Sequence, residues 1–163
     1  MNKNIQKEIK ILMSIFSIAL LISGITAFPI EYGLTSIRSV LPEDTVLGAW
    51  LTYVANAYIS VNNKYPFLAY GTDWLAFAHI LFAILFLGAA TNPVKNKWVV
   101  QFGMISCIAI IPLALIAGHI RHIPFYWQCV DMSFGIIGII PLLMIYQRIT
   151  RLEKLHFNQE YSI

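Results

Sequence analysis

The chain has 163 residues, of which 58% are hydrophobic and 12% charged, with a mean hydropathy of +0.70 and a net charge of +3. A single domain of this length cannot hide that much apolar surface from water, so the composition excludes an ordinary soluble globule and points to a bilayer. The few cations are scattered and no basic patch interleaves with aromatics, which leaves no signature of nucleic-acid binding.

In chain order, a short polar start with Lys3, Lys7 and Lys10 leads into an uninterrupted apolar run at 11–28. At about 1.5 Å per residue this approaches the roughly 30 Å of a hydrocarbon core. A cleavable signal peptide has the same general form, but this run exceeds the usual apolar stretch and lacks a good small-residue cleavage site, so an uncleaved first span is expected. The segment 29–73 is the richest in polar residues and reads as an extracytoplasmic cap. Within it, Pro42-Glu43-Asp44-Thr45 marks a helix start with Asp44 or Thr45 as the N-cap. The uncharged stretch 46–61 that follows has helical apolar spacing, with Thr52, Asn56 and Ser60 sharing another side. It suits either a helix lying in the membrane interface or a fifth span.

Three further spans are expected at 74–90, 98–118 and 131–147. Thr91-Asn92-Pro93 closes a short turn after the second, and Pro112 and Pro141 fall inside the third and fourth. With four spans and the N-terminus inside, Lys3, Lys7, Lys10, Lys95, Lys97, Arg148, Arg151 and Lys154 lie on the cytoplasmic side, and only Arg38, Lys64 and Arg121 lie outside. A fifth span at 46–61 destroys that asymmetry. The positive-inside rule therefore selects an all-α integral membrane protein, a four-transmembrane-helix bundle in a plasma or bacterial inner membrane. Both termini are cytoplasmic, and an interfacial helix lies in the first extracytoplasmic segment.

Small residues should govern helix contact, because lipid supplies no hydrophobic drive for association. Gly103, Cys107, Ala114 and Gly118 form one stripe on the third span; Asp131, Gly135, Gly138 and Leu142 form another on the fourth. The short linker makes these spans antiparallel neighbours and turns Asp131 toward the protein. The two cysteines, Cys107 and Cys129, differ in expected depth, which argues against a disulfide between them.

Functional expectation centres on the stretch 118–131, which holds His119, Arg121, His122, Trp127, Gln128 and Asp131 between two apolar runs. Asp73 opens the second span, and His79 lies six residues into it, about 9 Å deeper. Twelve aromatics, Tyr70, Trp74 and Trp127 among them, lie in or beside the outer segments, and four flank the inner surface. An ordinary interfacial belt is more even. Plainer roles exist for each residue: Asp73 and Asp131 suit helix N-termini, and Arg121 suits a neighbouring carboxylate or lipid phosphate. An intramembrane histidine such as His79, in contrast, is by default a functional feature.

Three chemistries fit this set. His79, His119 and His122, with Asp73 or Asp131, would offer zinc three nitrogen ligands and activate water. A histidine–carboxylate pair would perform acid–base chemistry on a lipid, isoprenoid or quinone-like ligand, its head group held by Arg121 and Gln128 and its body by Tyr70, Trp74 and Trp127. Two histidines on facing spans would ligate haem b. The rival class is a non-catalytic accessory subunit meeting a membrane-protein partner or a second copy, with 46–61 and Phe125-Tyr126-Trp127 as contact surface. Membrane lipids are partners under every reading. Alanine at His79 is expected to abolish activity or ligand binding without unfolding the protein.

Overall fold

The structure, a computed structural model, describes residues 2–160. Six α-helices follow in order: α1 (Asn2–Ala27), α2 (Ile30–Val40), α3 (Val46–Lys64), α4 (Tyr70–Ala89), α5 (Lys97–Ile120) and α6 (Phe125–Glu160), with a 3-10 turn at Pro66–Ala69. No strand occurs among the described residues. Four segments are long and apolar enough to cross a membrane: Lys3–Ala27, Pro66–Ala89, Lys97–Ile120 and Phe125–Leu155. Only 17–22% of their most apolar stretches is buried inside the protein. Side chains such as Ile15, Ile18, Ile22 and Ile25 on α1 point outward instead. A bilayer is the medium that covers such a surface, and the chain has the architecture of a helical integral membrane protein. The helix α3, 19 residues long, is not among the four.

The chain divides into two compact units. One contains the chain up to Ser17 and from Ile84 onward; the other is Ile18–Ala83. In the second unit, Thr45 rather than Asp44 caps α3, its hydroxyl accepting from the Gly48 amide at 3.0 Å. A Cβ at Gly48 would collide with the Pro42 carbonyl, so the tight entry to α3 requires glycine there. The polar side of α3 faces α2 and the loop before it: Asn56 accepts from Arg38 (2.9 Å), Asn62 donates to Glu31 (2.9 Å), and Thr52 reaches Glu43 (3.5 Å). In the same unit α1 passes close to α4, since a Cβ at Gly24 would lie 2.8 Å from the Ala76 carbonyl oxygen.

The first unit is organised by the α5–α6 hairpin, and the small-residue stripes meet as their spacing predicts. A Cβ at Gly135 would strike the Cys107 carbonyl, one at Gly138 would lie 3.2 Å from Cys107 Sγ, and one at Gly103 would lie 3.1 Å from Leu142. Both helices run unbroken through Pro112 and Pro141. Both cysteines are free, Cys107 buried and Cys129 exposed. The fourth long helix differs from expectation at both ends. It begins at Phe125, so the Phe125-Tyr126-Trp127 triplet is its first turn instead of a loop, and Asp131 lies six residues in rather than at its start. The Pro124 carbonyl accepts the amides of Trp127 and Gln128 (2.9 and 3.1 Å) and starts the helix. At the other end α6 continues to Glu160, held by Lys97–Glu153 (2.6 Å) and Arg148–Glu8 (2.8 Å).

A Gly135→Val substitution should therefore force α5 and α6 apart and cost about 1–3 kcal/mol. Thermal unfolding in detergent measures this, with Gly88→Ala as the control, since nothing lies within 4 Å of a Cβ at that position.

Candidate functional site

The turn between α5 and α6 is built by a hydrogen-bond pattern that normally ends in glycine. After the C-cap Arg121, His122 adopts the left-handed conformation, with φ of 56°. The His122 amide donates to the His119 carbonyl (3.2 Å), and the Ile123 amide reaches back to the Gly118 carbonyl (2.9 Å). These are the paired bonds of a Schellman motif, and Pro124 then blocks any continuation of the helix. A side chain in that conformation costs roughly 1–2 kcal/mol, and histidine tolerates it better than most residues. His122 is thus held in place by the turn at an energetic cost.

Gln128 locks the turn from the α6 side. Its side chain is 7% exposed and its Nε2 donates to the Ile123 carbonyl at 2.8 Å. The same side chain lies flat over Gly118, where a Cβ would come within 2.5 Å of Gln128 Cδ. Glycine at 118 is what allows that approach. Around this clamp opens a cleft of about 620 Å³ lined by Leu115, Gly118, His119, His122, Ile123, Phe125 and Gln128. Both imidazoles are on its wall and both side chains are exposed. Arg121, though adjacent in sequence, is not part of the wall and forms no ion pair among the described residues. Trp127 is half-buried in the first turn of α6. Asp131 is half-buried one turn before Gly135 and has no hydrogen-bond partner among the described residues.

The remaining expected residues belong to the unit Ile18–Ala83. His79 is half-buried in α4, and its Nδ1 lies 2.8 Å from the Leu75 carbonyl. A carbonyl oxygen only accepts, so Nδ1 carries a proton and Nε2 is the ring atom left for another partner. Asp73 is in the first turn of α4 and shares a smaller cavity, about 270 Å³, with Phe28, Tyr70, Trp74 and Phe77. Nearby on α3, burial and then the carboxylates of Asp73 and Glu31 push the Tyr58 phenol above its usual range. The expected residues thus fall into two sets, His119, His122 and Gln128 in one unit and Asp73, Tyr70 and Trp74 in the other. Phe77 and Leu115 were not anticipated. The helical spacing of Phe77 from Tyr70 and Trp74 was the available signal.

Among the described residues no group of three or more His, Cys, Asp or Glu side chains is arranged to hold a metal ion. The α5–α6 cleft presents two imidazoles, His119 from the last turn of α5 and His122 from the turn that follows. Comparison of the chain with protein families, with curated proteins and with solved structures finds no match.

Two substitutions separate the turn's architecture from its use. His122→Gly should keep the fold and raise stability by about 0.5–1 kcal/mol, because glycine adopts the left-handed conformation without strain. Gln128→Ala should lower it by about 1–3 kcal/mol, because the Ile123 carbonyl loses its donor. Melting temperatures in detergent test both signs.

Proposed function

We propose that the protein binds an amphipathic ligand, a lipid, isoprenoid or quinone-like molecule, at the α5–α6 cleft. The observation that carries the reading is His122, kept in a costly conformation where glycine would serve the turn better. Strained residues concentrate at sites where the strain has a use. Two imidazoles can donate and accept hydrogen bonds with a polar head group or move a proton on it, while Leu115, Ile123 and Phe125 take its apolar body. Topologically, the charge asymmetry supports four membrane crossings with both termini in the cytoplasm. The α5–α6 turn, the end of α1 and the start of α4 then share the extracytoplasmic side, and α2 with α3 forms an interfacial cap.

A second reading is an accessory subunit without chemistry of its own. It draws on the exposed apolar side chains of the segments expected as contact surface, Val46 (70%), Tyr53 (66%) and Phe125 (66%), and on α2, which buries no residue.

Mass spectrometry of lipid extracted from the purified protein tests the first reading. One amphipathic species should co-purify with the wild type, and it should be lost from His119→Ala and from His122→Gly while both remain folded. Retention of the same lipid by the stabilised His122→Gly variant sinks the proposal, and a protein in place of a lipid favours the accessory reading. Orientation is tested in a Cys129→Ser background. An impermeant maleimide should label Lys64→Cys on intact cells and Lys95→Cys only after permeabilisation.

A further inference from the structure

The cavity at the start of α4 has a chemistry of its own. Tyr70, Asp73, Trp74 and Phe77 stand at i, i+3, i+4 and i+7 on one face of the helix, and Phe28, just past the end of α1, completes the wall. The rings do not lie parallel. Tyr70 meets Trp74 at 85° with centroids 5.9 Å apart, and Trp74 meets Phe77 at 83° and 6.2 Å. Rings set nearly perpendicular form adjoining sides of a box instead of a stack. Their faces carry partial negative charge.

Asp73 brings a full negative charge to the same box, and the two cations of its own unit do not pair with it. Among the described residues Asp73 has no ion pair. Residues 18–83 carry four carboxylates, Glu31, Glu43, Asp44 and Asp73, against two cations, Arg38 and Lys64. Both cations are engaged elsewhere: Arg38 pairs with Glu43 at 3.3 Å, and Lys64 sits 5.3 Å over the Tyr65 ring. The Tyr58 phenol is raised first by burial, and the carboxylates of Asp73 and Glu31 add to the shift. The positive N-terminal dipole of α4 offsets part of the Asp73 charge, and the aromatic faces add to what is left. An anion or a neutral polar group gains nothing here.

We infer that the box of Phe28, Tyr70, Trp74 and Phe77 around Asp73 binds a quaternary ammonium group. The choice among cations follows from the walls. A primary ammonium would exchange three hydrogen bonds to water for aromatic faces and one carboxylate. Methylated nitrogen has no N–H to satisfy, spreads its charge over its methyl groups, and fits aromatic faces directly. Such a group comes either on a choline lipid head group, brought by the surrounding membrane, or on a soluble molecule such as choline. Trp74 and Tyr70 are 57% and 61% exposed in the protein alone, so the box is open to either source. This inference is independent of the α5–α6 cleft and of what that cleft binds.

The test uses the full-length protein in nanodiscs of phosphatidylglycerol, which contain no choline. Saturation-transfer NMR on the methyl protons of tetramethylammonium should show binding to the wild type. Affinity should fall by about tenfold or more in Asp73→Asn and in Trp74→Leu. Phe125→Ala, in the other cavity, should leave it unchanged. Equal signals from the wild type and the two box variants, or no signal from the wild type, overturn the inference and leave these aromatics as interfacial anchors. A melting curve for each variant confirms that it is folded, and Asp73→Asn preserves shape while removing only charge. Repeating the titration in phosphatidylcholine nanodiscs identifies the source. Loss of the tetramethylammonium signal there assigns the box to the lipid head group, and its persistence, with competition by free choline, assigns it to a soluble ligand.

Discussion

Most of the apolar surface of this protein is not covered by protein. Only about a fifth of the most apolar stretches of the long helices is buried inside the protein, and that arrangement is stable only in a medium that neither hydrates side chains nor bonds to backbone. Every other feature answers to that condition. Backbone groups must be satisfied within helices, so the described chain is helical almost throughout. Helix contact cannot draw on a hydrophobic effect, so it relies on close approach, which Gly103, Gly135 and Gly138 permit against Leu142 and Cys107. Irregular backbone occurs at helix ends, and there it is bonded with care: the Thr45 cap, the paired amides of the His122 turn, and the Gln128 side chain closing it.

The two candidate sites divide the polar chemistry between them. The α5–α6 cleft presents two imidazoles next to an apolar wall. The α4 box presents a carboxylate among aromatic faces. The first suits a head group that exchanges hydrogen bonds or protons, the second a cation that makes none. A lone glutamine, nearly inaccessible to solvent, shapes the first by packing onto a glycine. The second owes its form to four side chains at helical spacing and needs no special backbone.

The spans, the helix start at Asp44-Thr45 and the glycine seam were legible in the sequence because each rests on a local rule: an apolar run, a capping side chain ahead of such a run, small residues at helical spacing; the choice of Thr45 over Asp44 came from the structure. The start of α6 was not. Asp131 has the chemistry of a helix N-terminus, but the Pro124 carbonyl begins the helix two turns earlier, and an aromatic first turn carries no capping signal. His122 was visible as a residue of interest, while its conformation was hidden, since the turn pattern predicts glycine at that position. The grouping of the polar residues was the least legible. Periodicity fixes which side chains share a face of one helix, and it says nothing of which helices adjoin. Periodicity alone therefore could not group candidates carried by α4 with those carried by the α5–α6 turn.

The ion pair between Glu8 and Arg148 has a consequence in time. Its partners are separated by 140 residues, and a ribosome makes the first long before the second exists. The N-terminal half of α1 belongs to the same unit as α5 and α6, so it enters the membrane with neither of those neighbours present. Until α6 has been synthesised, Ile9, Met13 and Ser17, all almost fully enclosed in the folded structure, must be accommodated by lipid, by α4 or by the insertion machinery. Glu8 and Arg148 can be joined only after α6 has been made, late in the assembly of this unit.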